Sequence, residues 1–487
     1  MNSLQDIEPV GLWKIFREMS LIPRPSGHEE MIQDWAENFG KKLKLDTIKD
    51  EAGNIIIRKS AVKGMENRKG VILQGHLDMV PQKNSNKVHD FTTDPIELIV
   101  EDGWVKANGT TLGADNGIGV AAALSVLASD KIKHGPLEVL LTASEETGMD
   151  GASGLKPGVL KGEIFINTDS EDEGELFVGC AGGEDINIFF KYLPDTMPDG
   201  YTGLKLSVTG LKGGHSGVDI VRQRGNAIKV FFRVLNMLSE KSGVRLGSLN
   251  CGSLRNAIPR EAFGILVVAK EKREEVEKVV MQIEEDVRNE LLQTDPGVNI
   301  SIENCELPGE IIDKSTQDNL IKAVVACPNG VIRMSDTMKG LVETSTNLAF
   351  IRSDIANKSI VAGCMMRSSV DSAKSELGTR FKALFELAGA EVGFSSAYPG
   401  WKPDLNSSVL NLMKSVYNKK FGKIPEIKAI HAGLECGILG GKYPDWDMIS
   451  FGPTIRFPHS PDEKVNIESV SKFWEFLTAT LENILAG

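Results

Sequence analysis

The chain has 487 residues, 41% of them hydrophobic, and a formal net charge of -12. That length exceeds what a single hydrophobic core serves, so two domains are expected, and the acidic balance speaks against nucleic acid or an anionic membrane as partner, since both demand a basic face. No run of about 18 apolar residues marks a membrane span, and the start M-N-S-L-Q-D-I-E-P lacks the basic-then-apolar order of a signal peptide, so a cytoplasmic protein is expected.

Leu12, Ile15, Phe16 and Met19 fall at helical spacing, as do Met31, Ile32, Trp35, Ala36, Phe39 and Leu43, which predicts two amphipathic helices around the turn P-R-P-S-G. G-N-I-I-I-R (53–58) and G-V-I-L-Q-G (70–75) read as strands, the second covered on both faces, and it runs directly into His76-Leu77-Asp78. After a polar hairpin around Trp104, T-L-G-A-D-N-G enters a helix of small residues from about Ile118 to Ala128, with Asp115 and Asn116 at its entrance. The apolar strand 137–143 delivers Glu145 and Glu146, and G-E-I-F-I-N-T-D ends another strand at Asp169.

Taken singly, Asp115 is a helix cap and the glutamate pair a solvated acidic loop. Together they say more: three strands each end in a potential ligand, and carboxyl ends of neighbouring strands converge on one crevice in an open α/β sheet.

From about residue 187 the texture changes to amphipathic strands alternating with longer charged helices. Strands are expected at 187–192, 203–210 and 262–269 and a helix at 271–292, then again strands at 344–351 and 359–367, a helix at 372–388 and a strand at 390–396. This succession suggests a doubled α+β unit. A helix over 407–421, a strand at 448–452, a loop carrying His459 and a terminal helix complete the chain. The expected architecture is therefore an α/β catalytic domain, 1–186 and 399–487, with a central mixed, mostly parallel sheet flanked by helices, and an inserted α+β lid, 187–398. Six cysteines without C-x-x-C spacing read as reduced structural thiols.

Two divalent ions held close together need carboxylates, at least one of them bridging, and imidazoles suit zinc. His76 and Asp169 can complete one shell, Glu146 and His459 the other, with Asp115 bridging; Asp78 can orient His76. The three carboxylates leave the ion pair one positive charge, which a bridging hydroxide cancels. Glu145 is then the spare carboxylate, able to act as general base and then general acid.

H-L-D (76–78), G-A-D-N-G (113–117), S-E-E-T-G (144–148), N-T-D (167–169), G-G-H-S-G (213–217) and the late His459 resemble, in this order, the co-catalytic zinc exopeptidases of the aminoacylase, carnosinase and tripeptidase family. The long insertion, H-A-G-L-E-C-G (431–437) and P-D-W-D-M-I-S-F-G-P (444–453) give the likeness to bacterial aminoacyl-histidine dipeptidases within it. The resemblance implies two Zn²⁺ per subunit, with Mn²⁺ or Co²⁺ as substitutes, hydrolysis of dipeptides such as Xaa-His, and a homodimer formed through the lid. It also implies a cis peptide between Asp115 and Asn116. His215 is implied as the donor to the developing oxyanion, in dimeric relatives reaching the partner subunit's site, while Asn256 and Arg367 match lid positions that hold the peptide, Arg367 by its terminal carboxylate. Plainer readings stand beside these: His215 and Asn256 as turn residues and Arg367 as partner of a lid acid. Glu435, with His431, lies in a Gly-rich loop that can line the substrate pocket. The competing functions are a tripeptidase or an N-acyl amino acid deacylase and, outside enzymes, a metal-binding scaffold.

Overall fold

A computed structural model gives the fold and describes Leu4 and residues 7–486. The chain divides into two compact units: Met1–Gly179 with Trp401–Ala429 and Leu434–Gly487, and Cys180–Gly400 with Ile430–Gly433.

The first unit is built on an eight-stranded sheet in the order Asp46–Lys49, Ile55–Lys59, Leu137–Thr142, Val71–His76, Ile164–Asn167, Asp447–Ser450, Glu175–Cys180, Glu426–Ile430. Its four central strands, from Leu137–Thr142 to Asp447–Ser450, are mutually parallel. Ile55–Lys59 joins them antiparallel, and on the other side Ser450 pairs antiparallel with Phe177, so the sheet is mixed with a parallel centre. Val71–His76 and Leu137–Thr142 are buried at every position, which is why their sequences are mostly apolar rather than alternating, with Gln74 and Thr142 among the buried polar exceptions. The parallel register sets His76 beside Thr142, and Gln74 beside Asn167, which lies beside Ser450.

Of the two predicted stripes the first is buried in full, while in Glu30–Lys42 Ile32 and Ala36 are buried and Met31 is exposed, as is Leu43 just beyond it. Val10–Ser20 buries Leu12, Trp13, Ile15, Phe16 and Met19. The small-residue helix runs Ala114–Ala128, four residues earlier than its periodicity suggests, because Asp115 and Asn116 are carried inside it with non-helical dihedrals. The peptide between those two residues is cis. A side chain at Gly75 would place its Cβ 2.2 Å from Asn116 Oδ1, so the strand can pass beneath this segment only as glycine.

The second unit carries a nine-stranded sheet, paired antiparallel throughout among the described strands. Its first half runs strand Tyr201–Thr209, helix Ala227–Ser242, strands Arg245–Gly252 and Ala262–Ala269, helix Arg273–Glu290, strand Asn299–Cys305. In space these strands lie fourth, first, third, second. The second half repeats that order with Gly182–Lys191, helix Lys314–Ala326, Val342–Asp354, Ser359–Ser368, helix Asp371–Leu387 and Glu391–Tyr398. The halves meet where Arg245–Gly252 pairs with Val342–Asp354, and the first half is spliced in after the opening strand of the second. One continuous core, with Phe231, Phe232, Phe381 and Phe385 among its largest side chains, lies under the helices. No helix among the described residues is long and apolar enough to cross a membrane.

Candidate active site

At the carboxyl ends of the central strands in the first unit, five of the expected residues come together. His76 Nε2 lies 3.1 Å from Asp115 Oδ1 and 3.3 Å from Asp169 Oδ1. His459 Nε2 lies 3.2 Å from Asp115 Oδ2 and 3.0 Å from Glu146 Oε2. The two oxygens of Asp115 thus each face a separate nest of one imidazole and one further carboxylate. Ligand atoms of His76, Asp115 and Glu146 all fall within 4.8 Å of one another.

The electrostatics of this cluster call for cations. Burial and neighbouring acids push Asp169 up to about 7 and Glu171 up to about 8, and burial first of all holds Glu145 well above the usual carboxylate range. Hydrogen bonds to Asp115 and Glu146 raise His459 to about 11, and His76 is held well above its ordinary value by Asp169, Asp115 and Asp78 despite complete burial. Glu146 Oε1 is buried without a hydrogen-bond partner. Two imidazoles and three carboxylates, with lone pairs left over inside the protein, form a donor set that fits a pair of divalent ions such as Zn²⁺, Mn²⁺ or Co²⁺.

Asp78 is fully buried and ties the layers together. His76 Nδ1 lies 3.4 Å from its Oδ1 and 3.1 Å from its backbone oxygen, while the backbone N–H groups of Glu145 and Glu146 donate to the two carboxylate oxygens at 3.0 and 3.2 Å. Ser26 Oγ donates at 2.7 Å, and with His76 these donors hold the Asp78 carboxyl at about 2 against burial. Asp78 therefore orients the imidazole and fixes the start of the Glu145–Gly148 helical turn in one contact.

Three supporting residues escape a reading of the sequence. Arg24, 2% exposed, donates from Nη1 to Leu77 O at 2.8 Å and from Nη2 to Gly113 O at 2.5 Å, clamping the loop after His76 to the loop before Asp115. Glu29 accepts the Ser144 N–H at 3.2 Å and its hydroxyl at 2.9 Å, steadying Ser144 at φ 52° just before the glutamate pair. Glu463 accepts four successive backbone N–H groups, those of Leu112, Gly113, Ala114 and Asp115, at 2.7, 3.0, 2.8 and 3.2 Å. Their sequence surroundings carry no motif; the late position of Glu463, four residues past His459, is the sole hint.

Glu435, expected among the substrate-binding residues, is 1% exposed. Its Oε2 accepts from Gln74 Nε2 at 2.5 Å and Thr142 Oγ1 at 2.8 Å.

In the second unit, His215 Nδ1 accepts the N–H groups of Gly217 and Val218, both at 3.1 Å. That leaves the proton of the neutral ring on Nε2, and burial together with Arg367 keeps the pKa of His215 below its ordinary value. Gly217 is the close-packing point: a Cβ there would lie 3.0 Å from His215 Cε1 and 3.2 Å from Arg367 Nε. Arg367 is 5% exposed, with Nη1 bonded to Tyr398 Oη at 3.0 Å and Nε without a partner. Among the described residues no carboxylate forms an ion pair with it. Asn256 is exposed in the turn just before Ala257, which pairs with His215, and its backbone oxygen accepts from Ser216.

A family model described as peptidase family M20/M25/M40 matches residues 72–483. The chain belongs to that family. It is 46% identical over 486 residues to the cytosol non-specific dipeptidase of Escherichia coli (strain K12), covering 100% of both chains. Among solved structures, aminoacylhistidine dipeptidase from Vibrio alginolyticus superposes with a TM-score of 0.95 at 45% identity, over 100% of this chain and 99% of that one. Aminopeptidase PepT from Bacillus cereus, at 16% identity and a TM-score of 0.58 over 98% of this chain and 99% of that one, shares the fold. The family resemblance expected from the six motifs is borne out, and with it the metallopeptidase class and the α/β fold with a second unit.

Proposed function

We propose that this chain is a metal-dependent dipeptidase that hydrolyses the peptide bond of dipeptides, Xaa-His among them, with two Zn²⁺ per subunit and Mn²⁺ or Co²⁺ as working substitutes. The observation that carries this reading is Asp115, whose two carboxylate oxygens face two separate imidazole and carboxylate nests. The names of the two full-length relatives supply the substrate class.

His76 and Asp169 would hold one ion, His459 and Glu146 the other, and Asp115 both. The ions supply Lewis acidity, polarising the scissile carbonyl and lowering the pKa of water toward neutrality. Glu145, beside Glu146 but outside the nests, takes a proton from the attacking water and passes it to the leaving amine nitrogen, for which a carboxyl held above its ordinary range is suited. Asp78 keeps His76 and the Glu145 backbone in place during both transfers. His215, neutral with its proton on Nε2, donates to the carbonyl oxygen as negative charge develops there. Arg367, buried with its Nε unpartnered, takes the free terminal carboxylate, and Asn256 the peptide.

The reading extends to a cytoplasmic homodimer joined through the second unit; the E. coli relative's name supports the compartment and the resemblance to dimeric relatives the assembly.

The test is to strip the protein with chelator, restore Zn²⁺, and assay Xaa-His dipeptides, other dipeptides, tripeptides and acetylated amino acids. Dipeptide cleavage that disappears with the metal is expected. Cleavage of acetylated amino acids without dipeptide cleavage would overturn the assignment.

A further inference from the structure

A row of polar side chains crosses the buried sheet one layer beneath the metal-ligand cluster. Thr142, Gln74, Asn167 and Ser450 belong to four adjacent central strands, and Glu435 reaches the row from the first turn of the helix Glu435–Lys442. All five are at most 1% exposed. Polar groups are costly in such a place unless every hydrogen bond serves a purpose, so the direction of each bond is informative.

The two ends of the row dictate that direction. At one end Glu435 Oε2 is the acceptor, and Gln74 turns its amide nitrogen to it, at 2.5 Å. The Gln74 oxygen must then face Asn167, and it accepts from Asn167 Nδ2 at 2.6 Å. That leaves Asn167 Oδ1 to accept the backbone N–H of Asp169 at 3.1 Å and the Ser450 hydroxyl at 2.5 Å. At the other end the Asp169 N–H can only donate, so both termini enforce one polarity. Thr142 completes the anchor, donating to Glu435 at 2.8 Å while accepting from Gln74 at 3.1 Å, and it stands in register with His76.

We propose that Glu435 is a positioning residue for the metal ligands: it polarises the Gln74 and Asn167 amides so that Asp169, and beside it His76, are held in ligating orientation. Its second oxygen, Oε1, is buried without a hydrogen-bond partner. At 1% exposure Glu435 makes its contacts with this row rather than with a substrate. The proposal rests on the dimetal reading above and adds to it a support whose removal would act on ion binding before catalysis.

The experiment titrates metal-stripped protein with Zn²⁺ by calorimetry and with Co²⁺ by its visible absorption, for wild type, Glu435→Gln and Asn167→Ala, with circular dichroism of each stripped protein as a folding control. Glutamine keeps the size but can present either a donor or an acceptor, so it no longer enforces the polarity. Glu435→Gln and Asn167→Ala are each expected to weaken ion binding about ten-fold or more and to shift the Co²⁺ band, as loss of a ligand-orienting partner does. The double variant is expected to lose less than the two effects combined, because both act along one chain of bonds. A folded Glu435→Gln protein with wild-type ion affinity and an unchanged Co²⁺ band, but a raised KM for dipeptides, would make it a substrate contact and overturn the proposal. Wild-type protein that binds neither ion would remove the dimetal reading as well, which separates the two failures.

Discussion

Glu463 receives the backbone N–H of Asp115 at 3.2 Å as the last of four successive amides on one buried carboxylate. The residue that joins the two nests is thus held through its main chain by a residue close in sequence to His459. Burial and the charge of Asp115 push Glu463 up to about 7 against the pull of those amides.

Replacing Glu463 by alanine strands several buried N–H groups, each worth about 1–3 kcal/mol when left unsatisfied. Glu463→Ala is expected to lower stability by at least about 3 kcal/mol in urea denaturation of the metal-stripped protein, and to weaken ion binding as well. A variant as stable as wild type would show that the loop Leu112–Asp115 holds itself.

Glu145→Gln is expected to lower kcat by roughly 10² to 10⁴-fold while the protein retains its full metal content by elemental analysis. The metal result matters as much as the rate: loss of an ion in this variant would make Glu145 a ligand rather than a proton carrier.

The metal-free protein has a pH dependence of known sign. His459 stands at about 11 when folded, against about 6.5 for a free imidazole. Its raised value contributes stability that is complete below about pH 6.5 and is lost as pH rises toward 11. In chelator, the difference in urea midpoint between wild type and His459→Asn is expected to shrink steadily over that interval. A difference constant with pH would refute it. For the same reason ion uptake at neutral pH displaces protons, observable as a calorimetric enthalpy that varies with the ionisation heat of the buffer.

Arg367→Ala is expected to raise KM for a free dipeptide roughly thirty-fold, about 2 kcal/mol for a lost charged hydrogen bond, with little change in kcat. The same dipeptide carrying a C-terminal amide should respond far less. Equal losses on both substrates would place the carboxylate elsewhere.

His215→Ala should act differently, lowering kcat by roughly 10² to 10³-fold, because the proposed bond strengthens only as the oxyanion forms. Intact turnover would rule out that role.

What the sequence disclosed follows a physical division. That His76, Asp115, Glu146, Asp169 and His459 lie together was foreseeable because the parallel sheet delivers His76, Glu146 and Asp169 at or just past strand ends, where Asp115 and His459 join them. The strands 71–75 and 137–142 were legible because burial on both faces leaves them mostly apolar. Arg24, Glu29 and Glu463 were not, since each acts on backbone groups and hydroxyls that any sequence supplies, and the contacts of Glu463 span some 350 residues. Gln74 and Asn167 lie in separate strands far apart in sequence; only the register puts them side by side. The helix start at Ala114 was hidden because Asp115 and Asn116 break the helical dihedrals there.

The splicing of one half of the nine-stranded sheet into the other bears on the order in which the molecule can be assembled as it is synthesised. Gly182–Lys191 emerges first, yet its hydrogen-bonding partners are Ser359–Ser368 and Glu391–Tyr398. The half formed by residues 201–305 has all its strands at hand and can close on its own local contacts, while the earlier strand waits with both edges unpaired. A ribosome paused between residues 305 and 359 would therefore present an extended apolar segment, Ile186, Ile188 and Phe190 included, to whatever chaperone or neighbouring chain is nearby.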